Sequence, residues 1–250
     1  MAKYIMTSDM FPENPDKWGR ELSESVELQL LLMKFYLQGI ASQNIQLEGE
    51  ADFAGIPRLV DVSETDRKKL LREITINNTF LSLFRSLIIF VDKSLSLFLF
   101  SQETKKNPIG PFFKLSDVLD EIFEEIPTET YKKFSRDLSM TFPLKIEKLK
   151  FLKPMARDRL ISYNQIRIAF EHHVGIPKHD IKLPLSKLEV KSKEPGLQEV
   201  IIQFDKLENK IFKKDEPIIF KSQEVSVIGF DIKGLIIKDI FLALAELDKD

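Results

Sequence analysis

The chain has no cysteine. That excludes disulfides, thiolate metal sites and cysteine nucleophiles together, and it agrees with a reducing cytoplasm. Glycine is sparse, nine residues against twenty phenylalanines, which points to a tightly packed, loop-poor protein. No Walker loop, dinucleotide fingerprint, nucleophile elbow or kinase signature is present. An excess of one charge is missing too. With 37 basic and 39 acidic residues the net charge is −2, so a nucleic-acid role requires a local basic patch rather than a global field. No repeat period and no low-complexity tract occurs. Long hydrophobic runs are also lacking. The most apolar segment, residues 80–100 (FLSLFRSLIIFVDKSLSLFLF), is interrupted by Arg85, Asp92 and Lys93, and its uncharged pieces fall short of the ~20 residues that span a bilayer. It reads as a core helix, and no membrane association is expected. The N-terminal residues do not have the pattern of a signal peptide.

What is present is concentrated in residues 160–180, LISYNQIRIAFEHHVGIPKHD, which hold all three histidines of the chain, His172, His173 and His179. Pro154 suits the first position of a helix, and Gly175 followed by Pro177 suits a stop. At about 100° per residue, Asn164, Arg167 and Glu171 share one narrow stripe. Most of the remaining surface is apolar (Ile161, Tyr163, Ile166, Ile168, Ala169, Phe170, Val174). A helix apolar on nearly every side is buried on most of them, so its charged stripe must be paired or must line a cleft. The same apolarity predicts a homodimer packed around residues 160–174.

Arg167 and His172 form R-x4-H, as RIAFEH, on a late helix that follows several apolar ones. In this the chain resembles the HEPN domains, helical bundles whose arginine and histidine make a metal-independent ribonuclease site at a dimer interface. The resemblance covers the first 175 residues in architecture and two residues in motif. The position after the arginine, commonly polar in that family and often Asn, is Ile168 here. His173 fits a looser spacing, so the choice between the two histidines stays open. The resemblance implies an endoribonuclease or RNA-binding protein of toxin or phage-defence type, with Arg167 and His172 catalytic and Asn164, Glu171 and His173 in support. No cofactor and no metal are expected.

Chemistry agrees with those residue types. Metal-free RNA cleavage needs a group that takes the 2′-hydroxyl proton and a cation that meets the charge growing on phosphate; imidazole and guanidinium do these two things. Two competing readings use the same residues. In the first, Asn164, Arg167 and Glu171 are a structural network, with Arg167 and Glu171 paired at i,i+4, in a non-catalytic helical interaction module. In the second, His172, His173 and His179 with Glu171 or Asp180 bind zinc, against which adjacent histidines on a helix diverge by about 100°. For RNA, the densest basic run is Lys145, Lys148, Lys150, Lys153, Arg157 and Arg159. Lys150, Lys153, Arg157 and Arg159 are the expected phosphate contacts. Lys132, Lys133 and Arg136 make a second, smaller cluster, and a plain solvated helix face is the alternative for both.

Two parts are predicted along the chain. Residues 1–178 form a helical bundle: an irregular arm to residue 20 pinned by Trp18, a helix over 21–42, an unassigned stretch over 44–62, and a helix from Glu64 to about Thr104, capped by Ser63 and breakable at Asn77 and Asn78. A loop at 105–111, short helices over 115–126 and 128–142, and a helix or connector over 145–152 then lead to the histidine helix. Residues 179–250 form a β-rich extension, a candidate site for a protein partner. Its strands are expected at 188–192, 199–204, 210–213, 217–221 and 224–230, with hairpin loops at 194–196 and 205–209 and a terminal helix over 235–247. The segment around Pro184 is either a hinge or a packed extension. The fold class expected is mainly α, a HEPN-like bundle with a C-terminal β-rich part.

Overall fold

Two long antiparallel helices form the frame. The computed structural model describes residues 13–42, 63–106, 140–194 and 197–247. Helix α1 (Glu13–Ser42) starts ahead of the expected position. Pro15 lies in its first turn, where a missing N–H removes no intrahelical bond. Trp18 packs against the core and lies 5.7 Å beneath Lys93 Nζ. Helix α2 (Glu64–Lys106) is capped by Ser63, whose Oγ accepts the Asp66 N–H at 3.2 Å. Asn77 and Asn78 do not break it. Thr75 and Thr79 return their hydroxyls to the carbonyls of Leu71 and Thr75, both at 2.8 Å. Ile76, Phe80, Leu83, Phe84, Leu87 and Val91 bury a continuous apolar face, and that burial outweighs the weak helix propensity of two asparagines.

Helix α3 (Phe142–Lys148) occupies the stretch read as helix or connector, and α4 (Pro154–His172) is the histidine helix, with Pro154 in its first turn as expected. The helix expected over 115–126 and residues 128–139 of the one expected over 128–142, with Lys132, Lys133 and Arg136, lie outside the described residues; Met140 and Thr141 are not helical, and Phe142 opens α3. Phe80 is the hub of the core. Its ring packs with those of Phe84, Tyr163, Phe170 and Phe220 at centroid distances from 5.2 to 6.5 Å, which joins α2 to α4 and to the chain beyond the sheet.

The C-terminal part departs from expectation. Among the described residues there is, instead of five short strands, one two-stranded antiparallel hairpin, β1 (Ile181–Glu194) with β2 (Leu197–Phe212). Glu194 stands opposite Leu197; the other two residues of the loop expected at 194–196 lie outside the described residues. The loop expected at 205–209 is a bulge instead: Ser186 pairs with Leu207 and Lys187 with Gln203, so three residues of β2 have no opposite number. Residues 217–221 are not a strand, and 224–230 belong to helix α5 (Ser222–Asp231). A π-helical turn (Ile232–Ile236) links α5 to the terminal helix α6 (Ile237–Leu247). Gly229 lets α5 close on α1; a Cβ there would sit 2.8 Å from Leu30.

Mainly helical holds, since helix covers 73% of the described residues. One core draws on both sides of the expected boundary at 178/179: Ile181, Leu183, Phe212, Val225 and Ile240 join Leu22, Phe80 and Leu160 in a single cluster. Pro184 is accordingly no hinge. It lies in β1 between buried Leu183 and Leu185, as a proline on an edge strand can.

Candidate functional site

The site is built at the C-terminal end of α4. Leu160, Tyr163, Ile166 and Ala169 are buried within their own chain, whereas Ile161, Ile168 and Phe170 are half-buried. Helix α4 stops where His173 and Gly175 both donate their N–H to the Ala169 carbonyl, at 3.0 and 2.8 Å. Gly175 has φ 78° and faces the Phe170 ring; Val174 beside it has φ 54° and is 93% exposed. The Gly175 carbonyl accepts Ile218 N–H at 2.8 Å, and Asp180 Oδ1 accepts Lys214 N–H at 2.8 Å. The turn after α4 is thus fastened to the segment between β2 and α5.

On α4 the three polar residues do form one network. Arg167 Nη1 donates to Glu171 Oε2 at 2.7 Å, and Nη2 donates to Asn164 Oδ1 at 3.2 Å. Asn164 is buried and Arg167 a quarter exposed. Arg85 on α2, largely exposed, brings a second guanidinium to 3.9 Å from Glu171. His172 is exposed one residue on, and its ring centroid is 6.4 Å from that of His173. Residues five apart on a regular helix diverge by about 140°, so Arg167 and His172 border the helix end from different sides.

The basic run divides on inspection of its surroundings. Lys150 is exposed and lines an open groove of about 460 Å³ with Lys148, Glu147, Leu144 and Met140. Lys153 reaches across to Asp239 at 2.6 Å while staying largely exposed. Arg157 caps the carbonyls of Leu149 and Lys150, each at 3.4 Å. Arg159 is not a phosphate contact at all: it is 1% exposed and fully inside. Its Nε donates to the Pro184 carbonyl at 3.2 Å, one Nη donates to Ser186 Oγ at 3.0 Å, and Asp231 lies 3.6 Å away. Ser186 in turn donates its hydroxyl to Asp231 at 2.5 Å. Lys145 is also inside, 2.7 Å from Asp92.

Burial pushes the Asp231 and Asp92 carboxyls above the usual carboxylate range, against the pull of Arg159 and Lys145 respectively. It raises the Tyr163 hydroxyl well above its ordinary value, with the Asp231 charge adding to the effect. These groups were not singled out in the sequence, because their partners lie far along the chain. As for metals, the described residues contain no cluster of three or more histidines and carboxylates able to hold an ion. Among the described residues His172 and His173 therefore have no converging third ligand. No protein-family model, no curated protein and no solved structure matches the chain.

Proposed function

We propose that this chain is a HEPN-like, metal-independent endoribonuclease or RNA-binding protein acting through the end of α4. What supports the reading is the state of Arg167. Its guanidinium is aimed by two hydrogen bonds yet still reached by solvent, on the helix that ends at exposed His172. A guanidinium carries five N–H donors. Glu171 and Asn164 use two, which orients the fork and leaves further Nη donors for a phosphate. In the reaction so assigned, the His172 imidazole takes the proton of a ribose 2′-hydroxyl, and that oxygen attacks the adjacent phosphorus. The P–O5′ bond breaks, the departing oxygen takes a proton from solvent water, and a 2′,3′-cyclic phosphate and a 5′-hydroxyl result. Arg167 meets the charge on the non-bridging oxygens, and Lys150 and Lys148 hold the backbone further along.

The second reading, a non-catalytic interaction module, draws on the same geometry, since the Arg167 network is closed within the chain. Cleavage of RNA in EDTA by wild type, Arg167→Ala, Arg167→Lys, His172→Ala and His173→Ala separates the two. The ribonuclease reading expects activity from wild type and His173→Ala only, with melting temperatures within a few degrees. An inactive His173→Ala beside an active His172→Ala moves the base by one residue. No cleavage by wild type leaves the interaction module.

A further inference from the structure

Glu171 carries two guanidiniums, one on each carboxylate oxygen. Arg167 donates to Oε2 at 2.7 Å, and Arg85 on α2 stands 3.9 Å from Oε1. The two contacts differ in kind. Arg167 shares its helix with Glu171 and is fixed by a second bond, to Asn164. Arg85 lies beyond hydrogen-bond reach of Glu171. Its side chain is 68% exposed, and among the described residues it makes no hydrogen bond. Packing, not attraction, brings it there. Phe84 and Leu87 beside it are buried, and the Phe80 ring meets those of Tyr163 and Phe170 on α4. Among the described residues neither arginine has a second carboxylate within ion-pair distance, so two cations share one anion. An exposed ion pair at this separation is weak. Arg85 can therefore leave Glu171 for a better acceptor at little cost, and a phosphate, which takes both prongs of a guanidinium, is such an acceptor.

We propose that Arg85 is a further RNA-binding residue, one that takes the phosphate next to the one met by Arg167. This role rests on the RNA reading of α4. The Glu171 carboxylate decides between one shared phosphate and two. It stands between the guanidiniums, and its negative charge repels a phosphate that would bridge both. A nucleic-acid strand carries a phosphate at every nucleotide, so consecutive phosphates of one strand meet the two arginines on either side of Glu171. Arg85 thereby sets the register of the strand on the site and does not touch the reacting atoms.

Binding and cleavage of a fluorescein-labelled, mixed-sequence single-stranded RNA by the full chain in EDTA test it. Arg85→Ala should raise Kd and KM about tenfold, the worth of one hydrogen-bonded charge contact, and leave kcat unchanged. The slope of log Kd against log salt should fall by about 0.7, the share of one phosphate on a single strand. Arg85→Lys keeps the charge without the fork and should lie between. Melting temperatures should hold, because the side chain is exposed. Arg72→Ala is the control for bulk charge and should match wild type. Arg72 is exposed on the same helix, about 20 Å toward its start and roughly 140° around it. A kcat that falls as steeply as KM rises puts Arg85 on the reacting phosphate and overturns the proposal. An Arg85→Ala chain equal to wild type, or an equal loss in Arg72→Ala, also overturns it and leaves the RNA reading standing. A wild type that neither binds nor cleaves this RNA removes that reading and the proposal together. Where wild type binds without cleaving, Kd and the salt slope decide.

Discussion

Arg159 and Arg167 stand on the same helix, about 12 Å apart along its axis, and point roughly 80° away from each other. One is entirely inside, held by a backbone carbonyl, a serine and an aspartate from β1 and α5. The other is held by residues of its own helix and remains a quarter exposed. Both are cations with hydrogen-bonded partners, so pairing alone does not tell architecture from function. Water decides. A desolvated charge must keep its partner or the fold suffers, whereas a solvated one can exchange a partner for a ligand at small cost.

Substituting each arginine tests that contrast, and Arg159→Ala carries the largest expected effect. It strands Asp231 in the core without a countercharge, which should cost about 3–5 kcal/mol, read from the midpoint of urea unfolding. Replacing both members, Arg159→Met with Asp231→Leu, should recover most of the loss, since two apolar groups of similar volume need no partners. A double variant as weak as the single one would mean that packing, not charge, governs the site. Next in size is a change at the turn that presents the candidate site. Val174 is β-branched and sits at φ 54°, a conformation glycine adopts without strain. Val174→Gly should stabilise the fold by about 1 kcal/mol in the same assay. Arg167→Ala should cost only about 0.5 kcal/mol, the worth of an exposed i,i+4 pair. A loss of several kcal/mol there would erase the difference between the two arginines and favour the interaction module.

The smallest effect is in pH. The Asp231 carboxyl titrates above its ordinary range in the fold because it is buried. The native chain therefore holds that proton more tightly than the unfolded chain. The stability this confers is fully present below the ordinary carboxylate pKa and is lost as pH rises through the raised one. Stability of Asp231→Asn relative to wild type should accordingly improve as pH goes from about 4 to 7, and a flat difference would deny the burial effect.

How far these features could be read in advance depended on range. Pro154, Ser63 and the Gly175 stop act on their own few residues, so the ends of α4 and the start of α2 were legible. So was the Arg167–Glu171 pair, which needs only a helix and a four-residue step. The segment 224–230 was misread because a short apolar run is compatible with a strand or a buried helix, and periodicity does not separate them. Glu224 could have hinted otherwise. Three residues into α5 its carboxylate accepts the Lys221 N–H at 2.7 Å, as an N-terminal capping residue does.

By itself, then, the sequence determined the local grammar of this protein: a long apolar α2, a proline-started and glycine-stopped α4, an Arg–Glu–Asn stripe beside a pair of histidines, and no thiol chemistry. Only the tertiary structure decided which charges are inside. Lys145 meets Asp92 from 53 residues away, and Arg159 meets Ser186 from 27. Nothing in the basic run marked these two apart from exposed Lys150. Burial is set by which surfaces converge once α2, α4, β1 and α5 pack together, and a one-dimensional pattern of charge carries no record of that convergence.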